Sequence, residues 1–226
     1  MASPPSFASD TSGRRPIQWV RALLILFLGL TIAHLGVTLF LITDLGTDTF
    51  TILIQGLAHT VGVSVGTMHV IVLCLLMAVM LVTTKGYVKP GTVVCAFCGG
   101  PIIDFFTWLL GDVVNASSPL PVRLLVMAAG CVVLACGMSV VIGSRAGTGP
   151  NDLIAIILSD KWGRWEFRWV RMACDGLFVL LGFLLGGTLG IGTIVAAVLT
   201  GPCVQFFLPL TGRLIAHCHI EPDRSR

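Results

Sequence analysis

The chain has 226 residues, 55% of them hydrophobic and only 11% charged, with a net charge of +3. Soluble domains carry roughly 25% charged residues, so this composition excludes an ordinary soluble globule and points to an all-α polytopic membrane protein. The Lys and Arg residues are spread between apolar blocks, so they define topology and give no basic patch for nucleic acid.

Residues 1–16 are polar, with Pro4, Pro5 and several serines, and read as a disordered cytoplasmic N-terminus. Long apolar blocks then follow at 22–43, 67–84, 91–110, 122–143, 170–186 and 191–210. Each is near the roughly 20 residues that span a bilayer. The first block is too long for a signal-peptide core of about 7–15 residues and reads as a retained helix. Two shorter apolar segments lie at 49–62 and 150–159. Fourteen helical residues reach only about 21 Å, short of a hydrocarbon core of about 30 Å. The expectation is six transmembrane helices plus two short re-entrant or interfacial helices.

With both termini cytoplasmic, all of the 14 Lys and Arg residues except Arg123 fall on the cytoplasmic side. Lys85 and Lys89 decide the count, because they would move outside if the short segments crossed.

A displacement of 101 residues brings the chain into register with itself. Gly29 meets Gly130, Gly36 meets Gly137, Gly46-Thr47 meets Gly147-Thr148, and Gly100-Pro101 meets Gly201-Pro202. The repeats are taken as 17–117 and 118–213, with 214–226 a cytoplasmic tail. Three spans per repeat is an odd number, so the two halves have inverted topology. Such duplications suit transporters, where the repeat interface forms the pathway.

Two motifs recur in both halves. The first is Gly46-Thr47-Asp48-Thr49 and Gly147-Thr148-Gly149-Pro150-Asn151-Asp152. Gly46 and Gly147 permit a chain break, and Thr47, Asp48, Thr148, Asn151 and Asp152 are natural helix caps. Pro150 suits a first helical turn. The second is Gly100-Pro101 followed by Asp104, matched by Gly201-Pro202 followed by Gln205. A proline inside a span crowds the preceding turn, so Gly100, Pro101, Gly201 and Pro202 read either as helix-break elements, a kink or break beside a pathway, or as packing kinks. Asp104, a carboxylate within a span, is the leading candidate for a coupling-ion, proton or substrate ligand. The other reading of Asp104 is a buried structural acceptor.

His34, midway along the first span, is either a proton carrier or a packing residue. Asp175 reads as the partner of Arg171 one turn earlier, and His69 as interfacial. Gln55 on the first short segment is a weaker cavity candidate. Trp162, Trp165 and Trp169 beside Lys161, Arg164 and Arg168 fit an interfacial belt. Cys95 and Cys98 read as helix packing. No metal set, cofactor motif, nucleotide-binding loop or nucleophile motif is visible, and no enzyme activity is expected.

The segment from Leu45-Gly46 to Gln55-Gly56-Leu57 resembles the YczE-like bacterial membrane proteins of the YczE/YyaS/YitT grouping. So do Gly147 to Leu153, Gly190-Ile191-Gly192-Thr193 and Gly201 to Phe207. The resemblance covers about residues 20–212 and implies a multi-pass protein of the bacterial cytoplasmic membrane, with a family-level link to antibiotic production or export. Where the family pattern has Ser/Gly-Pro-Trp-Asp, the first half has Asp48-Thr49-Phe50-Thr51. Asp152 in the second half retains the family's acidic position. The expected function is passage of a small solute or ion through a repeat-interface site lined by Asp48, Asn151, Asp152, Asp104 and Gln205, with Thr47, Thr148 and His34 as further pathway candidates. The alternative is a non-transporting scaffold or regulatory partner. The expected partners are the bilayer, the solute, and a second copy or another membrane protein.

Overall fold

The computed structural model describes residues 14–83, 87–111, 113, 114, 117–162 and 167–216, and the side chains of all of these but 159–162, 167 and 168. The expected disordered tail up to residue 13, Lys85, Arg164, Trp165 and the last ten residues lie outside them. Every regular element among the described residues is an α-helix. They are α1 (Pro16–Thr43), α2 (Thr49–Val61), α3 (Val65–Thr83), α4 (Pro90–Leu110), α5 (Leu120–Ser144), α6 (Pro150–Trp162), α7 (Phe167–Leu184) and α8 (Ile191–Ala216). Proline opens α1, α4 and α6, where its missing N–H costs nothing.

Five of the eight, α1, α3, α4, α5 and α8, are long and apolar enough to cross a membrane. The remaining long block gives α7, whose 18 residues include Arg168, Arg171 and Asp175.

The centre is a crossing of α1 and α5. Gly29 lies against Gly137, and Gly36 against Gly130, so the two helices run antiparallel. A Cβ on Gly36 would sit 2.5 Å from the Leu134 nitrogen, so no side chain fits without parting the backbones. Small residues at such a crossing allow the close approach that packs helices in lipid. Phe40, Ile103, Met127, Cys131 and Leu134 fill the space beside it. Helix α4 packs on α1, and α8 packs on α5. Cys95 packs among Ala22, Leu26 and Leu30.

Both central helices end in the same way. Asp44 closes α1 at φ 50°, and Arg145 closes α5 at φ 52°. Thr43 Oγ1 donates to Phe40 O at 2.8 Å, and Ser144 Oγ donates to Val141 O at 2.7 Å. An arginine reaches each end. Arg123 Nε donates to Thr43 O at 2.7 Å and Nη2 to Asp44 O at 3.1 Å. Arg14 donates to Ser144 O and Arg145 O, both at 3.4 Å. A cation is favoured at a helix C-terminus, where carbonyls lack intrahelical partners.

Helix α2 runs alongside α7 in the same direction. Thr49 meets Asp175, while Gln55 and Thr60 meet Thr188 and Leu185 beyond the end of α7. Asp175 to Leu184 is about 14 Å of helix. Asp44 also touches Thr188, through Oδ1 at 3.3 Å. The 44–48 link therefore descends beside α7 to mid-helix, and α2 climbs back. Gln55 anchors the α7–α8 link: its Oε1 accepts the Thr188 N–H.

One expectation needs correction. The helix-break elements Gly100, Pro101, Gly201 and Pro202 do not break anything, because α4 and α8 are continuous through them. An interior proline forfeits one backbone bond and bends a helix without ending it when tertiary packing holds both sides. At Gly46, Gly147 and Pro150 the chain does leave one helix and start another.

Candidate functional site

The first motif of each half forms a link seated on the opposite half. Leu45 O accepts the Gly192 N–H at 2.7 Å, and Ala146 O accepts the Gly91 N–H at 3.1 Å. These pairs are related by the same displacement of 101 residues. Gly46, at φ 110°, faces Thr193 of α8, and Gly147, at φ 148°, faces Thr92 of α4. Only glycine takes these conformations with so little room. Thr92 and Thr193 are buried, and neither hydroxyl has a hydrogen-bond partner among the described residues. Thr47 and Thr148 make matching 3.3 Å bonds to the carbonyls of Asp48 and Gly149.

Each link delivers polar groups to one place. Asp48 caps α2, its Oδ2 accepting the Thr51 N–H at 3.1 Å. Its Oδ1 is buried and has no hydrogen-bond partner among the described residues. Thr49 Oγ1 donates to Asp175 Oδ1 at 2.9 Å. Arg171 donates from Nε to Asp175 Oδ2 at 3.1 Å, and from Nη1 to Asp152 Oδ1 at 2.6 Å. Asn151 Nδ2 donates to the same Asp152 oxygen at 3.3 Å. The start of α2 and the start of α6 are thus joined through two residues of α7. The planar guanidinium suits this task, since it directs separate N–H groups at two carboxylates. The cluster holds three carboxylates and one guanidinium, an excess of negative groups that favours a cation or a proton.

Beside it lies an imidazole pair. The His34 and His69 rings are 5.3 Å apart and edge to face. His34 Nδ1 is 2.8 Å from Leu30 O. Phe50, next to Thr49, packs edge-on to His69 and to Phe178 of α7. His69 was expected at an interface but is buried, with Nδ1 lacking a partner among the described residues. Gly99 makes room for both rings, since a Cβ there would lie 2.8 Å from His34 Nε2.

The other candidates lie elsewhere. Asp104 holds the start of α3: Ser64 Oγ donates to Oδ2 at 2.6 Å and the Gly66 N–H to Oδ1 at 2.9 Å. Gln205 is exposed on α8. Sequence reasoning brought Asp48, Asn151 and Asp152 into one site, but assigned Asp175 and Arg171 only to each other. One signal was present. Arg171 and Asp175 correspond to Val70 and Cys74 in the first half, so a charge pair stands where the repeat has none.

The two halves differ in closure. In the first, Gly66 and Gly100 bring α3 and α4 into backbone contact, with Asp104 alongside. In the second, a Cβ on Gly176 or Gly201 would meet nothing within 4 Å. A cleft of ≈ 550 Å³ separates α7 from α8, with Thr49, Asp175 and Thr193 among its lining residues.

The long apolar helices and the outward apolar faces define a multi-pass helical membrane protein. Residues 20–209 match the model of a family of unknown function, DUF6198, and the chain belongs to that family. It is 29% identical over 190 residues to the uncharacterized membrane protein YczE of Bacillus subtilis (strain 168), covering 84% of this chain and 86% of that one. It is 27% identical over 187 residues to the uncharacterized protein YyaS of the same strain, covering 82% and 92%. An uncharacterized protein of Haemophilus influenzae is 29% identical over 192 residues, covering 84% of each. No solved structure matches the chain significantly.

Proposed function

We propose that the chain is a permease of the cytoplasmic membrane that moves a small solute or ion by alternating access between two inverted repeats. Six helices cross, α7 among them, and both termini are cytoplasmic. The charges of Arg171 and Asp175 are compatible with a crossing α7 because they pair with each other, with Asp152 and with Thr49. Helices α2 and α6 enter from opposite faces without crossing.

The observation that carries this reading is the meeting of the two links at the Asp152–Arg171–Asp175–Thr49 cluster. Broken helices that start at mid-depth place unpaired backbone and side-chain dipoles where a solute can use them. The difference in closure supports it as well. With α3 packed on α4, and α7 parted from α8, the halves hold the two conformations that a cycle would exchange.

The test is cysteine accessibility in a cysteine-free background, with single cysteines at positions 48, 89, 152 and 189, the last on an exposed residue of the α7–α8 link. Small impermeant thiol reagents are applied to intact cells and to inverted vesicles. The expected result is labelling of 189 from outside only, of 89 from inside only, and of 48 and 152 in a way that depends on state. Position 89 labelled from outside would remove the inverted topology, and silent positions 48 and 152 would remove the pathway.

A further inference from the structure

We propose that the cleft between α7 and α8 binds a lipophilic cation, with its charged head at Asp175 and its apolar body against Leu180, Phe183 and Ile194. The proposal rests on the permease reading and gives it a substrate class.

The cleft is two-sided in its chemistry. One end presents Thr49 and Asp175, and the walls are apolar. Its ≈ 550 Å³ falls within the roughly 300–1,000 Å³ of ordinary ligand sites. Leu180 and Phe183 are each 56% exposed and Ile194 is 66% exposed, so the walls face the hydrocarbon rather than a packed neighbour. A ligand already dissolved in the bilayer can therefore enter from the side. Only a molecule with a large apolar surface reaches that entrance in quantity.

Charge then selects among such molecules. Asp175 shares Arg171 with Asp152, so one guanidinium serves two carboxylates, and Asp48 adds a third close by. An anionic head would meet this excess and be repelled, whereas a cation would be held in a poorly screened environment. Thr193 borders the cleft, but its hydroxyl is buried against Gly46 and takes no part in the proposed binding.

A lipid acyl chain or a second copy of the protein would use the walls but not the carboxylate. The experiment separates these occupants by charge. Radiolabelled tetraphenylphosphonium is titrated onto the purified full-length chain in detergent, with triphenylphosphine oxide as an uncharged competitor. The expected result is saturable binding that the neutral compound does not displace, weakened at least tenfold by Asp175→Asn. Gly176→Phe fills the cleft where a side chain meets nothing, leaves the ion cluster intact, and should abolish binding even if Asp175→Asn fails to fold. Absent binding by the wild type, equal displacement by the neutral compound, or unchanged binding in Gly176→Phe would overturn the proposal. Because this assay needs no transport, failure here with positions 48 and 152 still accessible would remove the cation and leave the permease.

Discussion

Arg171 of α7 and Asp152 of α6 meet at 2.6 Å, and the same guanidinium reaches Asp175 at 3.1 Å. Removing the arginine leaves carboxylates facing one another with no counter-charge. The side chain is 35% exposed, so the effect lies between that of a surface pair and that of a buried one. Arg171→Ala should destabilise by about 1–3 kcal/mol. Arg171→Lys should recover little, because an ammonium lacks the fork that serves both partners. The triple variant Arg171→Met, Asp152→Asn, Asp175→Asn should regain the melting temperature, because it leaves no unpaired charge behind. Thermal unfolding in detergent checks the series, and a triple variant no more stable than Arg171→Ala would count against the charge argument.

The central crossing gives a second test, built on contrast. At Gly36 an added methyl strikes the Leu134 backbone, while at Gly201 it meets nothing. Gly36→Ala should cost about 1–3 kcal/mol through overpacking. Gly201→Ala should be neutral or stabilising by up to about 1 kcal/mol, since alanine is the better helix former. Size-exclusion profiles after graded heating report both. Equal behaviour of the two variants would mean that the α1–α5 contact does not limit stability.

Arg123 stands alone among the cationic residues on the side opposite the others in the proposed topology. Its place is explained by what it touches, the carbonyls of Thr43 and Asp44 at the end of α1. Arg123→Leu should cost about 1–2 kcal/mol through the lost cap while leaving the orientation of the chain unchanged. A reporter fused to the C-terminus checks orientation and a melting curve checks the cap. A reversed reporter signal would show that Arg123 sets topology instead.

Much of this was legible from local chemistry. The caps and proline in the first motif mark starts at Thr49 and Pro150, and the short helices begin there. The glycines that match across the repeat are the ones that let α1 and α5 touch. What escaped depends on partners far apart in sequence. Asp104 finds Ser64, 40 positions away, and becomes an anchor for α3. Thr49 finds Asp175, 126 positions away, which no i, i+4 rule anticipates. His69 is buried because Gly99 and Phe50 make a niche for it, and composition carries no sign of that. The unequal closure of the halves is also invisible in a repeat read as symmetric.

That inequality yields the last test. Ser64 and Asp104 tie α3 to α4, with oxygens 2.6 Å apart, whereas Gln205, the residue matched to Asp104, is exposed on an α8 that α7 does not cover. If the halves exchange conformations, α3 must leave α4 when α7 closes on α8. A disulfide between cysteines at positions 64 and 104, in a cysteine-free background, should therefore hold one state. Oxidation is expected to stop transport by tenfold or more, to fix the labelling of position 48 in a single pattern, and to leave the melting temperature unchanged or higher. Reductant should restore both. Transport at the wild-type rate with the disulfide fully formed would show that α3 and α4 move as one body, and the exchange of conformations between halves would have to be abandoned.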